Sequence, residues 1–137
     1  MIRAEYALLA DYVNTADKGK LNILGVATRL NPPSYPFVCG SMFFVAKVEF
    51  DREDVGKDLN ISLAWQDASG NRLAETPPMG VTLNFLDDDL DGQITIPTPP
   101  VIIPNAGIYT ALFLVEGNII TKTSIISKPA PAAQSGA

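Results

Sequence analysis

The residues whose types and spacing best suit chemistry lie in one stretch, Asp87-Asp-Asp-Leu-Asp-Gly92. Asp87, Asp89, Asp91 and Gly92 satisfy D-x-D-x-D-G, the first half of a calcium loop, in which alternate carboxylates converge on one hard cation and glycine permits the sharp turn. Ile94 takes that loop's apolar eighth position. At the twelfth, Thr98 stands where a bidentate Glu is needed, and Pro97, Pro99 and Pro100 forbid an exiting helix. The stretch is not an EF-hand. It reads either as a calcium-binding β-loop completed from elsewhere, for instance by Glu53 or Asp54, or as a solvated acidic turn with Asp91-Gly92 supplying a positive φ. Calcium is the one cofactor these residues suit.

Other chemistry is closed by composition. The chain has no histidine and one cysteine, Cys39, which removes the Ser-His-Asp and Cys-His nucleophile systems, zinc sites built on His or paired Cys, and an intrachain disulfide. With no histidine to activate it, Cys39 beside Gly40 reads as a small buried hydrophobe. A glycosidase pair would need two of Glu49, Glu53, Glu75 and Glu116 across a cleft, and nothing in their spacing places them opposite one another. The expectation is a protein that is not an enzyme.

Ten basic against fifteen acidic residues give a net charge of −5. Between Leu59 and Thr121 the only basic residue is Arg72. Phosphate backbones are bound by neutralising them with Lys and Arg, so this balance predicts no nucleic-acid partner. Glu5 interrupts any apolar signal core, and no run of about 18 apolar residues occurs. A soluble, cytoplasmic protein without membrane insertion is expected.

At 137 residues, 47% apolar and 18% charged, the chain suits a single globular domain. Its dominant period is two. Met42, Phe44, Ala46, Val48 and Phe50 line one face of a strand, with Phe43, Val45, Lys47 and Glu49 on the other. Leu59, Ile61, Leu63 and Trp65 then alternate against Asn60, Ser62, Ala64 and Gln66, which places Trp65 in the core. Strands are also expected over Ala4–Val13, Leu21–Leu30, Arg72–Glu75, Val81–Phe85 and Gln93–Ile96, with a closing hairpin, Ile108–Val115 and Ile119–Ser127, turning at Glu116-Gly-Asn118. Residues 97–104 hold too many prolines for a central strand and read as an edge segment or crossover. No convincing helical stripe occurs. The fold class is all-β, an antiparallel immunoglobulin-like β-sandwich of eight or nine strands over residues 1–127, followed by a Pro/Ala-rich tail, 128–137.

Leu8-Leu-Ala-Asp-Tyr12, Gly19-Lys-Leu-Asn-Ile-Leu-Gly25 and the closing hairpin around Glu116-Gly-Asn118 together resemble a family of short bacterial proteins known as a domain of unknown function. That resemblance implies a small β-sandwich and carries no site residues over. Asn105-Ala-Gly-Ile-Tyr109, leading into a strand, is similar to the tyrosine corner of immunoglobulin-type sandwiches, although Asn105 replaces the usual acidic residue and Ala111 the usual Cys.

Binding remains. Phe43 and Val45 lie opposite a complete apolar stripe, so a second layer covers them or they form an exposed patch. Tyr35 and Phe37, interleaved with Pro33 and Pro36, and Val101 and Ile102 in the Pro-rich segment complete a candidate interface. The sequence thus predicts a non-enzymatic interaction or assembly module, binding a protein partner or itself through sheet edges, the Pro-rich segment or loop aromatics. The alternative is a calcium or small-ligand binding domain centred on Asp87, Asp89 and Asp91.

Overall fold

Alternation at period two, with no helical stripe to compete, yields strands almost throughout. The computed structural model describes residues 2–15, 20–82 and 91–131. Asp87 and Asp89 and the last six residues of the tail lie outside the described residues.

One sheet is built from β1 (Arg3–Thr15), β2 (Leu21–Val26), β5 (Phe43–Glu49) and β9 (Asp91–Pro97), in the antiparallel order β2-β1-β5-β9. A second contains β3 (Arg29–Leu30), β6 (Asp58–Gln66), β7 (Arg72–Glu75), β11 (Gly107–Val115) and β12 (Asn118–Ser127), in the order β3-β12-β11-β6-β7, with β8 (Met79–Thr82) also paired to β6. A two-stranded ribbon joins β4 (Phe37–Cys39) to β10 (Val101–Ile103). The Pro-rich segment is therefore peripheral, as its missing ladder donors require. The only helical element among the described residues is a single 3-10 turn, Arg52–Asp54.

The described residues form twelve strands rather than eight or nine, because one expected strand breaks in two and a short ribbon, β4 with β10, forms outside the expected strands. Leu21–Leu30 was expected as one strand and divides at Ala27 and Thr28. Its first part stays on β1, where the Ala27 N–H donates to the Leu9 carbonyl at 2.7 Å. Its second part crosses to the other sheet and pairs with β12 in parallel, so that sheet is mixed rather than purely antiparallel. The crossing continues with the Lys128 N–H on the Leu30 carbonyl and the Ala130 N–H on the Pro32 carbonyl.

The apolar stripes meet where the pattern places them. Met42, Phe44, Ala46, Val48 and Phe50 from one sheet share a core with Ile61, Leu63, Trp65, Tyr109, Phe113 and Ile125 from the other. Phe44 stacks on Phe113, with ring centroids 5.7 Å apart and planes at 19°. Replacing such a ring by Ala costs about 3–5 kcal/mol, from lost transfer energy and the cavity left behind. Trp65 is buried, and among the described residues its indole N–H has no acceptor.

Two turns show why the strands end where they do. Glu116 and Gly117 both have positive φ, 50° and 79°, between the paired residues Val115 and Asn118. That is the type I′ geometry whose twist matches flanking strands. The Glu116 carboxylate accepts from the Asn60 N–H at 2.6 Å, tying the hairpin to the next strand. Tyr109 donates its hydroxyl proton to the Asn105 carbonyl at 2.6 Å, the upstream backbone bond read from the sequence.

Between β6 and β7, Asp67 Oδ1 accepts from the Ser69 and Asn71 N–H groups, each at 2.9 Å. Chiefly the Asn71 N–H, with the Asn71 side chain and the Ser69 and Gly70 N–H groups, holds its carboxyl below the ordinary carboxylate range. A carboxylate with a depressed folded pKa stabilises the fold above its unfolded pKa, and that contribution disappears as pH falls through the folded value. Asp67→Ala should therefore lower the thermal midpoint in full above about pH 5 and progressively less below about pH 4. Melting curves across that range test it, since a deficit independent of pH would assign the loss to something other than the carboxylate.

Candidate functional site

The calcium reading meets the strand ladder first. Asp91 and Gly92 belong to β9, paired with Glu49 and Val48, so the expected turn at Asp91-Gly92 is replaced by extended strand. The run of apolar β5 residues wants a partner on this side, and β9 supplies it. Thr98 is buried, and its hydroxyl accepts from the Met42 N–H at 2.9 Å while the Thr98 N–H donates to the Met42 carbonyl at 2.8 Å. It locks the start of β5 and does not face a ligand. Asp54 is buried, and its carboxylate accepts from the Asp51 N–H at 3.0 Å and meets Lys57 at 3.6 Å. Among the described residues no three acidic or Cys side chains gather as a metal site.

Three of the four carboxylates considered for glycoside chemistry are likewise engaged apart. Glu75 pairs with Arg72 at 3.3 Å, Glu49 with Arg3 at 4.0 Å, and Glu116 with the backbone of β6. Cys39 is buried, and burial pushes its thiol pKa up, away from the reactive thiolate.

The expected interface residues separate into three groups. Tyr35 and Phe37 are half-buried and pack against the core, and the Tyr35 hydroxyl lies 2.9 Å from Ser127 Oγ. They cap the end of the sheets. Val101 is a correction: it is 4% exposed and part of the core, because alternation along β10 turns it inward. Ile102 points the other way at 59% exposure, opposite Val38 of β4, which is also exposed.

Phe43 and Val45 lead to an apolar surface on the outer face of the four-stranded sheet. They occupy the face of β5 turned away from the core, and neither belongs to the core cluster. Val45 is fully covered, a correction to its reading as a contact residue, because neighbours on the same face shield it. The register names those neighbours: Leu8 opposite Val45, Ala10 opposite Phe43, then Val26 opposite Ala10 and Leu24 opposite Tyr12. Tyr12 meets Phe43 edge to face at 6.4 Å. Leu24 and Val26 remain 59% and 55% exposed, and Tyr12 is also exposed. The outer face of the four-stranded sheet is thus a continuous aromatic and aliphatic surface reaching the edge strand β2. Single residues gave no sign of it, since Tyr12, Leu24 and Val26 share a face with Phe43 only through strand pairing. Toward the other end of the central strands β1 and β5, Glu5 and Lys47 pair at 2.8 Å and mark a polar boundary.

A separate cleft of about 480 Å³ opens between β8 and β9, lined mainly by apolar side chains including Val48, Phe50, Ile61 and Met79.

The match of residues 5–126 to a family described as of unknown function, DUF6941, places the chain in that family. No curated protein matches it. Among solved structures, the chain is similar to Pseudomonas fluorescens alkylpurine DNA glycosylase AlkC bound to DNA containing an abasic site analog. The TM-score is 0.51 at 9% identity, over 93% of this chain and 30% of that one. The likeness is one of fold, and this chain spans less than a third of that protein.

That neighbour nevertheless overturns the exclusion of nucleic acid drawn from net charge, since a chain containing a similar fold is bound to DNA. The inference failed because net charge averages over the surface. Arg29 lies opposite Ile126, and Lys122 opposite Leu112, on the outer face of the six-stranded sheet, with Lys128 just beyond β12. All three are exposed. No helix among the described residues is long and apolar enough to cross a membrane.

Cys39 should react with a thiol reagent at least about tenfold more slowly in the native protein than in denaturant, because the thiolate is both disfavoured and covered. Equal rates in the two conditions would mean that the thiol is accessible and its inert reading wrong.

Proposed function

We propose that this member of the DUF6941 family is a non-enzymatic interaction module that docks a protein partner on the outer face of its four-stranded sheet. One observation carries the reading: Tyr12, Leu24 and Val26 stand exposed beside Phe43 as a single apolar surface. Exposed contiguous apolar surface of this kind costs solvation unless something covers it. Buried Cys39, the engaged carboxylates and the lack of histidine support a role without catalysis. The architecture fits an immunoglobulin-like sandwich, a reading supported by the Tyr109 bond to Asn105 and by two sheets sharing one core.

A photo-crosslinking residue in place of Tyr12, introduced in the native host, should give discrete protein adducts. The same residue in place of Lys57, on an exposed turn remote from β2 in the sheet order, should give none. Adducts indistinguishable between the two positions would remove the docking face.

The DNA-bound neighbour and the Arg29, Lys122 and Lys128 row support a second reading, binding of a phosphate backbone on the other sheet. Three phosphate contacts should give a log–log salt slope of about −2 to −3, and Arg29→Glu with Lys122→Glu should flatten it. Duplex DNA titrated by fluorescence anisotropy measures this directly, and the absence of binding at low salt would eliminate the reading.

A further inference from the structure

The outer face of the six-stranded sheet combines unpaired positive charge with exposed aliphatic side chains. Tyr109, Ala111 and Phe113 of β11 turn into the core, so Ile108, Thr110, Leu112 and Leu114 turn outward. The register sets Ile126, Ser124, Lys122 and Ile119 of β12 beside them in that order, and Arg29 of β3 beside Ile126. Lys128 continues the alternation two positions past Ile126, its N–H held by the Leu30 carbonyl.

Ile108, Ile119 and Ile126 are 50%, 55% and 39% exposed, whereas Leu112 and Leu114 are buried. The apolar area that β11 and β12 offer to water on this face is therefore that of the three isoleucines. Arg29, Lys122 and Lys128 are exposed, and among the described residues none of them pairs with a carboxylate. The acidic groups of the same face lie away from them. Glu75 of β7 is taken by Arg72 at 3.3 Å, and Asp58, at the start of β6, accepts from the Thr82 hydroxyl.

We infer that this face lies on an anionic lipid surface, with the three cations over the headgroups and the three isoleucines at the boundary between headgroups and acyl chains. Anionic headgroups attract exposed Lys and Arg, each contributing about a fivefold gain in partition. Aliphatic side chains that leave water at the boundary add to it. A phosphodiester backbone satisfies only the first of these, because its contacts use Arg, Lys, hydroxyl and N–H groups and leave the isoleucines without a role. The isoleucines thus favour lipid over the phosphate backbone considered above.

The acidity of the whole chain does not oppose this. The two sheets of a sandwich are about 10 Å apart, and charge is screened over about 8 Å at physiological salt, so carboxylates on the other sheet act weakly at the lipid surface. The outer faces of two packed sheets also point in opposite directions. A chain held by this face leaves Tyr12, Leu24 and Val26 free for a protein partner, so the lipid role stands or falls separately from the docking face.

Co-sedimentation of the whole chain with vesicles tests it. Phosphatidylcholine vesicles containing about 30% phosphatidylserine should carry the protein down, less so as salt rises, and vesicles of phosphatidylcholine alone should not. Arg29→Glu with Lys122→Glu should cut the partition at least about 25-fold, and Ile108→Ser with Ile119→Ser should cut it about fivefold. All four side chains are exposed, so melting curves should stay near the parent's. Lys128→Glu, beyond the end of β12, should by itself cut the partition about fivefold or more, which keeps the test open if a strand variant folds poorly. No binding of the parent to the anionic vesicles, or binding that either the charge reversals or the serine variants leave unchanged, overturns the inference. Duplex DNA bound by the parent and by the serine variants alike, with no vesicle binding, assigns the face to a phosphate backbone instead.

Discussion

The stack of Phe44 on Phe113 is the contact on which the rest of the structure depends. It joins the middle strand of one sheet to the middle strand of the other, and around it the apolar stripes of β5, β6 and β11 become one core. A strand has two faces and only one can turn inward. Once Phe44 is committed to the core, Phe43 and Val45 are committed to the opposite face, together with whatever the ladder places beside them. The exposed surface of Tyr12, Leu24 and Val26 is therefore a consequence of the core.

The chain between Val26 and Leu30 has a comparable influence. By leaving β1 at Ala27 and joining β12 in parallel, it ties the two sheets together along one side. Among the described residues it also terminates the first sheet at β2, which leaves Leu24 and Val26 on an edge strand. A continuous strand from Leu21 to Leu30 would have kept one sheet address throughout. The same crossing carries Arg29 to the face that holds Lys122.

Much of this was legible in the residues. The all-β class, the inward face from Met42 to Phe50, the burial of Trp65 and Cys39, the turn at Glu116-Gly117 and the Tyr109 bond all follow from local rules: alternation, turn chemistry, and the tendency of apolar side chains to leave water. The misjudged positions depend on distant partners. Val101 is expected at a contact surface because its proline-rich surroundings read as an edge segment or crossover, yet pairing with Cys39 turns it inward. Asp91-Gly92 was read as a turn because that dipeptide favours one, yet the demand of β5 for a partner draws it into the ladder.

The sequence by itself determined which side chains share a strand face and where strands must turn, because both are set by period-two geometry and by a few residues with restricted φ. Only the tertiary structure decided which strands are neighbours, where a sheet ends and which charges gather. Strand pairing joins residues far apart along the chain, and no local preference encodes that choice. Leu24 and Val26 show the difference: their alternation is plain in the sequence, but their exposure beside Tyr12 and Phe43 exists only because β2 is the last strand of its sheet.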